Sequence, residues 1–533
     1  MLYLTKPDNI IGILGVSALI SIFSIVFSSN SLMALGAFLA GLAGAILLSR
    51  NFVYVGSRFR FTDVLSASIL LATGLGTVIT YTSFETAKDW NSFLNQRGIL
   101  DSSTVVTAQL AVDLFCLCLF LLGLFTRRRA LTKQSSSRSL REPTPDSKLL
   151  LKVTSLSKNT KLLFILLWSG FLVSSYQIYL LFTGKFGFLW QGLAKETEED
   201  LNIINPEIQL LLVFVPPIIF VLGFLLLKLK EFESNNLAKL LYLSIAITQL
   251  MWFITIASRR EFAFSALIFL FGVRISLLGK PIKFSLRNIF RLAFITVMVI
   301  VIAFLGIQIT SFMRFLLHEG VDFKSQSITE NFSDLAREFF NYFFGNNETL
   351  FNLGEFESKL SQNLSTRPFV LSGFAMILER LADEPLLLGE DLSSNFLKSI
   401  PGFLFPGKYS LLTLESLYRA RLDISEAELR DLANSFYLSA FADFSWLGLF
   451  IYPVIIYVLL NLMLKITLKS NSMLFHVLVT GSLFKLGLSG GELALIGLFV
   501  NLRDLLIFLI IITVFRFFLH QGYDSPLISS NNR

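Results

Sequence analysis

Arginines set against apolar blocks are the residues of this chain best suited to chemistry. Arg259 and Arg260 stand between two apolar blocks joined by almost no loop, and Glu261 follows them. A central arginine in a membrane helix costs about 2.5–3.5 kcal/mol by insertion scales. A pair kept there either snorkels to an interface or grips an anion, because the planar fork of guanidinium donors matches phosphate oxygens. Glu261 can orient one of the two. A second group lies in the polar stretch that follows: Arg314, His318, Arg367 and Arg380. Thr366-Arg367-Pro368 reads as a helix start with proline in its first turn, where unpaired N–H groups already favour an anion. Arg380 falls on the same helix but, at about 100° per residue, on another face. Asp383 and Glu384 offer it a salt bridge at helical spacing instead. His318 is a candidate general base, histidine being the side chain that titrates near neutrality; the alternative is a structural histidine beside a helix end. Asp113, Glu492, Arg503 and Asp504 also fall in or beside apolar blocks. Asp113 has no sequence partner and must find its hydrogen bonds within a bundle.

Other chemistries lack their motifs. There is no phosphate-binding Walker loop, no glycine-rich dinucleotide turn, no HExxH, no serine-nucleophile elbow and no CxxC pair. ATP-driven transport, redox chemistry and zinc hydrolysis are therefore unsupported, and no cofactor or metal is expected. Cys116 and Cys118 lie inside an apolar block, which suits packing better than a disulfide framework or metal ligation.

The elements that must hold these residues are membrane helices. Of the 533 residues, 54% are hydrophobic and 16% charged, against about 25% charged in soluble domains. The mean hydropathy is +0.67. The apolar residues come in long blocks rather than in the alternating strands of a barrel, and helices satisfy their own backbone in lipid. At about 20 residues per crossing, about twelve spans are expected, near 9–29, 31–49, 63–82, 105–126, 162–183, 208–227, 238–256, 261–279, 291–313, 437–463, 473–489 and 498–519. The first is read as a retained helix, not a removed signal peptide. With this count every basic cluster falls on one face: Arg50, Arg58 and Arg60, the segment 127–161, Lys228 to Lys239, Lys280 to Arg287, and Lys465 with Lys469. By the positive-inside rule that face, with both termini, is cytoplasmic. The net charge of +7 thus belongs to topology and not to nucleic acid. The run 133–147, rich in Ser, Arg and Pro, reads as a disordered linker. No internal repeat is visible, which weakens an inverted-repeat transporter.

The chain therefore divides into a first part of the bundle (1–313), a large extracytoplasmic loop (314–434), and a last part with a cytoplasmic tail (435–533). A loop this long is usually functional. Its segment Phe369 to Leu381 is apolar enough to lie on the membrane or against the bundle. Ser425 and Glu428 make a capping box for a short polar helix.

Within that loop the residues read Arg380-Leu381, Glu384-Pro385-Leu386-Leu387-Leu388-Gly389, then Ser399-Ile400-Pro401-Gly402-Phe403-Leu404-Phe405-Pro406-Gly407-Lys408. The chain returns to the membrane with Asn434-Ser435-Phe436-Tyr437 and Ala442-Asp443-Phe444-Ser445-Trp446-Leu447-Gly448. This order resembles the Wzy-type O-antigen and exopolysaccharide repeat-unit polymerases, over about 70 residues plus the topology. Arg380 and Lys408 match the family pattern. Gly402 stands where the family often has arginine, and Gly407 where it often has aspartate.

The resemblance implies a fold similar to membrane glycosyltransferases that use polyprenyl donors. It implies transfer of a growing glycan from undecaprenyl diphosphate to a sugar hydroxyl of a second lipid-linked unit, without metal or nucleotide sugar. Such a protein works in the bacterial inner membrane, in contact with membrane lipid and in company with a chain-length regulator. Arg259, Arg260, Arg314, Arg367, Arg380 and Lys408 would then bind the leaving diphosphate where its charge develops. His318, Glu379 and Asp443 are the candidates for base help. Two alternatives remain. One is an O-antigen ligase, against which the Ile-Pro…Pro-Gly-Lys run counts. The other is a lipid-linked sugar flippase or other secondary transporter, for which Pro216-Pro217 and Gly490-Gly491 would mark broken helices.

Overall fold

The computed structural model describes residues 6–56, 58–83, 87–132, 144–155, 160–182, 206–228, 236–256, 259–278, 294–306, 308–309, 337, 370–380, 386–402, 404–407, 411, 435–492 and 495–521. All regular structure among them is helical. The helices are α1 (Pro7–Val26), α2 (Asn30–Val53), α3 (Phe61–Leu70), α4 (Gly76–Ser83), α5 (Ala87–Gln96), α6 (Ser102–Thr132), α7 (Pro145–Ser155) and α8 (Thr160–Phe182). They continue as α9 (Pro206–Leu226), α10 (Asn236–Ile256), α11 (Arg259–Ser276), α12 (Phe294–Gly306), α13 (Leu371–Arg380), α14 (Glu390–Ser399), α15 (Phe436–Lys469), α16 (Met473–Leu488) and α17 (Leu495–Gln521).

Each of the twelve expected apolar segments coincides with a helix. Eight are long and apolar enough to cross a membrane: α1, α2, α3 with α4, α6, α8, α10, α15 and α17. The described parts of α9, α12 and α16 are apolar but shorter. The twelfth, α11, carries Arg259, Arg260, Glu261 and Arg274, and that charge sets it apart. This is the pattern of a multi-pass membrane protein. Its outer helices expose Leu19, Phe23, Leu172, Leu240 and Ile510, a density of apolar surface that a water-soluble monomer does not tolerate.

Local chemistry sets the helix starts. Ser29, Ser435 and Ser472 each cap their helix by accepting an early N–H, which is worth about 1 kcal/mol apiece. Thr144 to Ser147, expected within the disordered run, instead opens α7. Pro145 takes the first helical position and Thr144 accepts the Ser147 N–H at 3.2 Å, a start suited to that sequence. Asp146 then accepts the Phe61 N–H and Ser147 the Phe59 N–H.

Basic groups gather at that end of the bundle. Arg60 pairs with Asp63 at 2.8 Å, Arg274 donates to the carbonyls of Phe52 and Val53, and Lys152 donates to the Leu468 carbonyl. Above them Phe59, Phe61, Phe220, Phe271 and Phe484 stack, the closest ring centroids 4.6 Å apart. Each such contact is worth about 0.5–1.5 kcal/mol beyond its burial. These five phenylalanines are therefore core.

The two candidate helix breaks behave differently. Helix α9 runs unbroken through Pro216-Pro217, whose backbone lies against Gly481 of α16. Gly490–Glu492 does form a 3-10 turn between α16 and α17. Gly491 lies against Ala72 in the π-helical segment Leu71–Leu75 that joins α3 to α4.

Candidate functional site

Two of the short sequences that carry the resemblance, around 387 and 442, lie far apart in the chain, and the structure brings them together. Helix α15 begins with eight residues, 436–443, that are buried all round. It then breaks at Phe444 and Ser445, where Ser445 has φ 51° and ψ −141°. The membrane-length run starts only after this break, a correction to the expected span 437–463. The two halves fold so closely together that a Cβ on Gly448 would overlap the Ala440 carbonyl.

Residues 387–389 lie along the break. The Leu387 N–H donates to the Ala442 carbonyl at 3.0 Å and the Leu388 N–H to the Asp443 carbonyl at 2.9 Å. Gly389 follows at φ 90°, a left-handed conformation that glycine adopts without a Cβ penalty. It turns the chain into α14. The first N–H groups of a helix have no partner of their own, and here Asp443 supplies one. Its carboxylate accepts the Asp391 N–H at 3.1 Å, the Leu392 N–H at 3.0 Å and the Tyr452 hydroxyl at 2.5 Å. The opposite end of α14 is held by Arg503 of α17, which donates to the Ser399 carbonyl at 2.9 Å and is itself oriented by Asp504. A carboxylate at the N-terminus and a guanidinium at the C-terminus both complement the helix dipole. Helix α14 is thus a strut between the broken helix α15 and α17.

Asp391, in the first turn of this strut, escapes sequence reasoning. It is 1% exposed, and one of its oxygens has no hydrogen-bond partner. Burial pushes its carboxyl up to about 6, and the nearby charge of Asp443 adds to the rise. Ser439, Asn395 and Lys398 pull it partly back.

Helix α13 packs against α6 and α15 with Leu371 to Ile377 buried, Phe374 lying against Tyr437 and Phe441. Of the two settings expected for this segment, it takes the one against the bundle. Glu379 near its end accepts the Leu100 N–H at 2.9 Å and the Thr104 hydroxyl at 2.5 Å, docking α13 on the start of α6. Arg380 closes α13, and Arg259 and Arg260 open α11; the directions of these three side chains lie outside the description. Glu261 beside them pairs with Lys485 of α16 at 3.3 Å. Soon after Lys485, the Gly491 carbonyl accepts from Tyr437 at 3.3 Å. The start of α11 is therefore linked through α16 to the first half of α15, on which α13 also rests. Arg314, His318, Arg367 and Lys408, and the capping box at Ser425 and Glu428, lie outside the described residues.

The described residues hold no cluster of three or more His, Cys, Asp or Glu side chains placed to bind a metal. Comparison with protein-family models, with curated proteins and with solved structures gives no match for this chain.

Proposed function

We propose that this protein polymerises undecaprenyl-diphosphate-linked oligosaccharide repeat units into a surface polysaccharide, by glycosyl transfer on the outer face of the cytoplasmic membrane. The observation that carries the reading is the joining of two of the resemblance segments, at 387–388 and 442–443, by hydrogen bonds at a helix break. Irregular backbone at such a place is expected where protein or a water-filled site surrounds it. In this reading twelve helices cross the membrane, both termini are cytoplasmic, and α13 and α14 belong to the outer loop.

The roles follow from the chemistry. A sugar hydroxyl of the acceptor attacks the anomeric carbon of the donor. The bond to the diphosphate breaks, and its electron pair leaves with the diphosphate. Arg259, Arg260, Arg314, Arg367, Arg380 and Lys408 supply the positive charge that stabilises this leaving group. The hydroxyl proton needs an acceptor. Glu379 and Asp443 have their oxygens occupied by backbone and hydroxyl donors, which suits positioning. Asp391 retains an unengaged oxygen and a carboxyl poised at about 6, which suits proton transfer near neutrality.

A second reading, transport of the lipid-linked unit, draws on the breaks at 444–445 and 490–492, since discontinuous helices line transporter sites. One experiment separates them. In cells that make the polysaccharide, Arg260→Ala is expected to abolish long chains while single lipid-linked units still reach the outer face. Units trapped inside would support transport and overturn the polymerase reading. Long chains that form but are not joined to their final carrier would point to a ligase.

A further inference from the structure

Three helix faces converge on a carboxylate inside the bundle that the proposed reaction does not use. Asp113, near the middle of α6, is 5% exposed. Gln109 donates to its Oδ1 at 2.8 Å, and Ser17 Oγ of α1 lies 3.2 Å from its Oδ2. The same Ser17 oxygen lies 2.9 Å from the Gly36 carbonyl of α2. A hydroxyl has one proton to give, so it can serve only one of these two acceptors. Gln109 Oε1 is also buried with no hydrogen-bond partner. The site thus holds more oxygen lone pairs than donors, and a carboxyl group whose ionised form is costly in an apolar bundle. A small cation makes good both shortfalls at once.

The charged groups of the neighbouring helices sit towards the helix ends. On α2, Arg50 is about 21 Å along the axis from Gly36, at 1.5 Å per residue. On α1, Asp8 is about 13 Å from Ser17, and before α6, Asp101 is about 18 Å from Asp113. Helix α3 brings Asp63 and Arg60 at its start, α13 brings Glu379 at its end, and α15 brings Asp443 at its break. The titratable neighbours on α6 itself are the thiols of Cys116 and Cys118.

A polar cavity lies further along α1, towards its C-terminal end. It has a volume of about 220 Å³ where α1 turns into α2 and is lined by Ser24, Ser28, Asn30, Asn91 and Asp101 among others. Hydrogen bonds from Ser103 and Thr104 outweigh burial there and hold the Asp101 carboxyl below its usual range, so the mouth is anionic. From the cavity Ser24, Ser21 and Ser17 descend one face of α1, all buried. Val106, Gln109 and Asp113 descend α6 at the same helical spacing of three and four. The drop from Ser24 to Ser17 is about 10 Å. Gly36 allows the approach, since a Cβ there would overlap the Ser21 hydroxyl.

We propose that Asp113, Gln109, Ser17 and the Gly36 carbonyl form a binding site for one dehydrated monovalent cation of sodium's size, reached from this cavity along the serine face of α1. Oxygen ligands suit a hard cation, and one carboxylate matches one positive charge, whereas divalent ions draw on more. The inference stands apart from the glycan reading and survives its failure.

The test uses the purified full chain in lipid discs, with radiolabelled sodium as the probe. Saturable retention is expected in wild type, displaced by unlabelled sodium, and at least about tenfold weaker in Asp113→Asn, equivalent to about 1.4 kcal/mol. At constant ionic strength, sodium raises the melting midpoint of wild type and leaves that of Asp113→Asn unmoved. In sodium-free buffer the variant melts no lower than wild type, because a buried charge has gone. If Asp113→Asn fails to fold, Gln109→Leu carries the same comparison. Wild type that retains no sodium, or variants that retain as much, overturn the site. So does a midpoint that responds to pH and not to sodium, which assigns the carboxyl to a proton.

Discussion

Replacing Asp443 by alanine tests whether the strut α14 is held as described. The substitution removes the acceptor of the Asp391 and Leu392 N–H groups. A hydrogen bond to a charged acceptor contributes about 1.5–3 kcal/mol, and a helix cap about 0.5–2 kcal/mol. Water recovers part of the loss once the first turn frays. A net local cost of about 3 kcal/mol is reasonable, and at about 1.4 kcal/mol per factor of ten it speeds amide exchange about a hundredfold. Hydrogen–deuterium exchange of the purified protein in lipid discs reads this at residues 391–395. Asp443→Asn keeps one carbonyl acceptor and is expected to fall between, at about tenfold. Amides of α1, remote from the strut, should not change in either variant. Exchange at 391 and 392 within about threefold of wild type in Asp443→Ala would refute the assignment of Asp443 as the cap.

Two further outcomes concern the same region. Asp391 has its folded carboxyl at about 6 against an ordinary value of 3.8, so the fold prefers the protonated acid. Its contribution is fully present below about pH 3.8 and is lost as pH rises through 6. The difference is worth up to about 3 kcal/mol. Asp391→Asn, neutral throughout, should therefore melt higher than wild type at pH 7.5 and lose that advantage by pH 4; melting curves at the two pH values decide it. Gly448→Ala forces a methyl group into the Ala440 carbonyl. Overpacking costs about 1–3 kcal/mol or more, so the midpoint should fall clearly, whereas Gly12→Ala, inside α1 and with open space at its Cβ, should not lower it.

The twelve apolar segments were readable because the hydrocarbon thickness fixes their length, and each lies on a helix. What hydropathy does not reveal is a break inside an apolar run. Residues 436–452 contain neither proline nor glycine at 444–445, so the run scans as one helix. The only local signs were Asp443 and Gly448, a carboxylate and a missing side chain where neither is expected. The candidate site was legible as a set of segments and not as contacts. Asp443 and Glu379 were picked out as chemistry, yet each binds backbone donors from a distant segment of the chain, a role set by long-range packing. Arg503 looked like half of a neighbouring pair; its bond to Ser399 spans the chain from 399 to 503. Asp391 went unnoticed because an acidic residue after Gly389 reads as an ordinary helix opening, and its burial comes from long-range packing of α14.

That burial permits a last separation of roles. Asp391 offers α14 a backbone N–H and, independently, the site a carboxyl group, while Asp443 is spent on the cap. Asp391→Asn leaves both backbone donors to Asp443 in place, so amide exchange at 391 and 392 should match wild type. If the Asp391 carboxylate takes the hydroxyl proton, the same variant should lose polymer synthesis by about 10²–10⁴-fold, the usual contribution of a general base. A carboxyl that only supports the strut gives the opposite pattern, with exchange faster and synthesis lost only in proportion to folded protein. The pH profile adds a second, independent reading. Synthesis by wild type should fall below about pH 6 as the carboxylate is protonated, even though stability rises in that range by the linkage worked out above. Activity and stability moving in opposite directions with pH is a signature that loss of folded protein cannot produce.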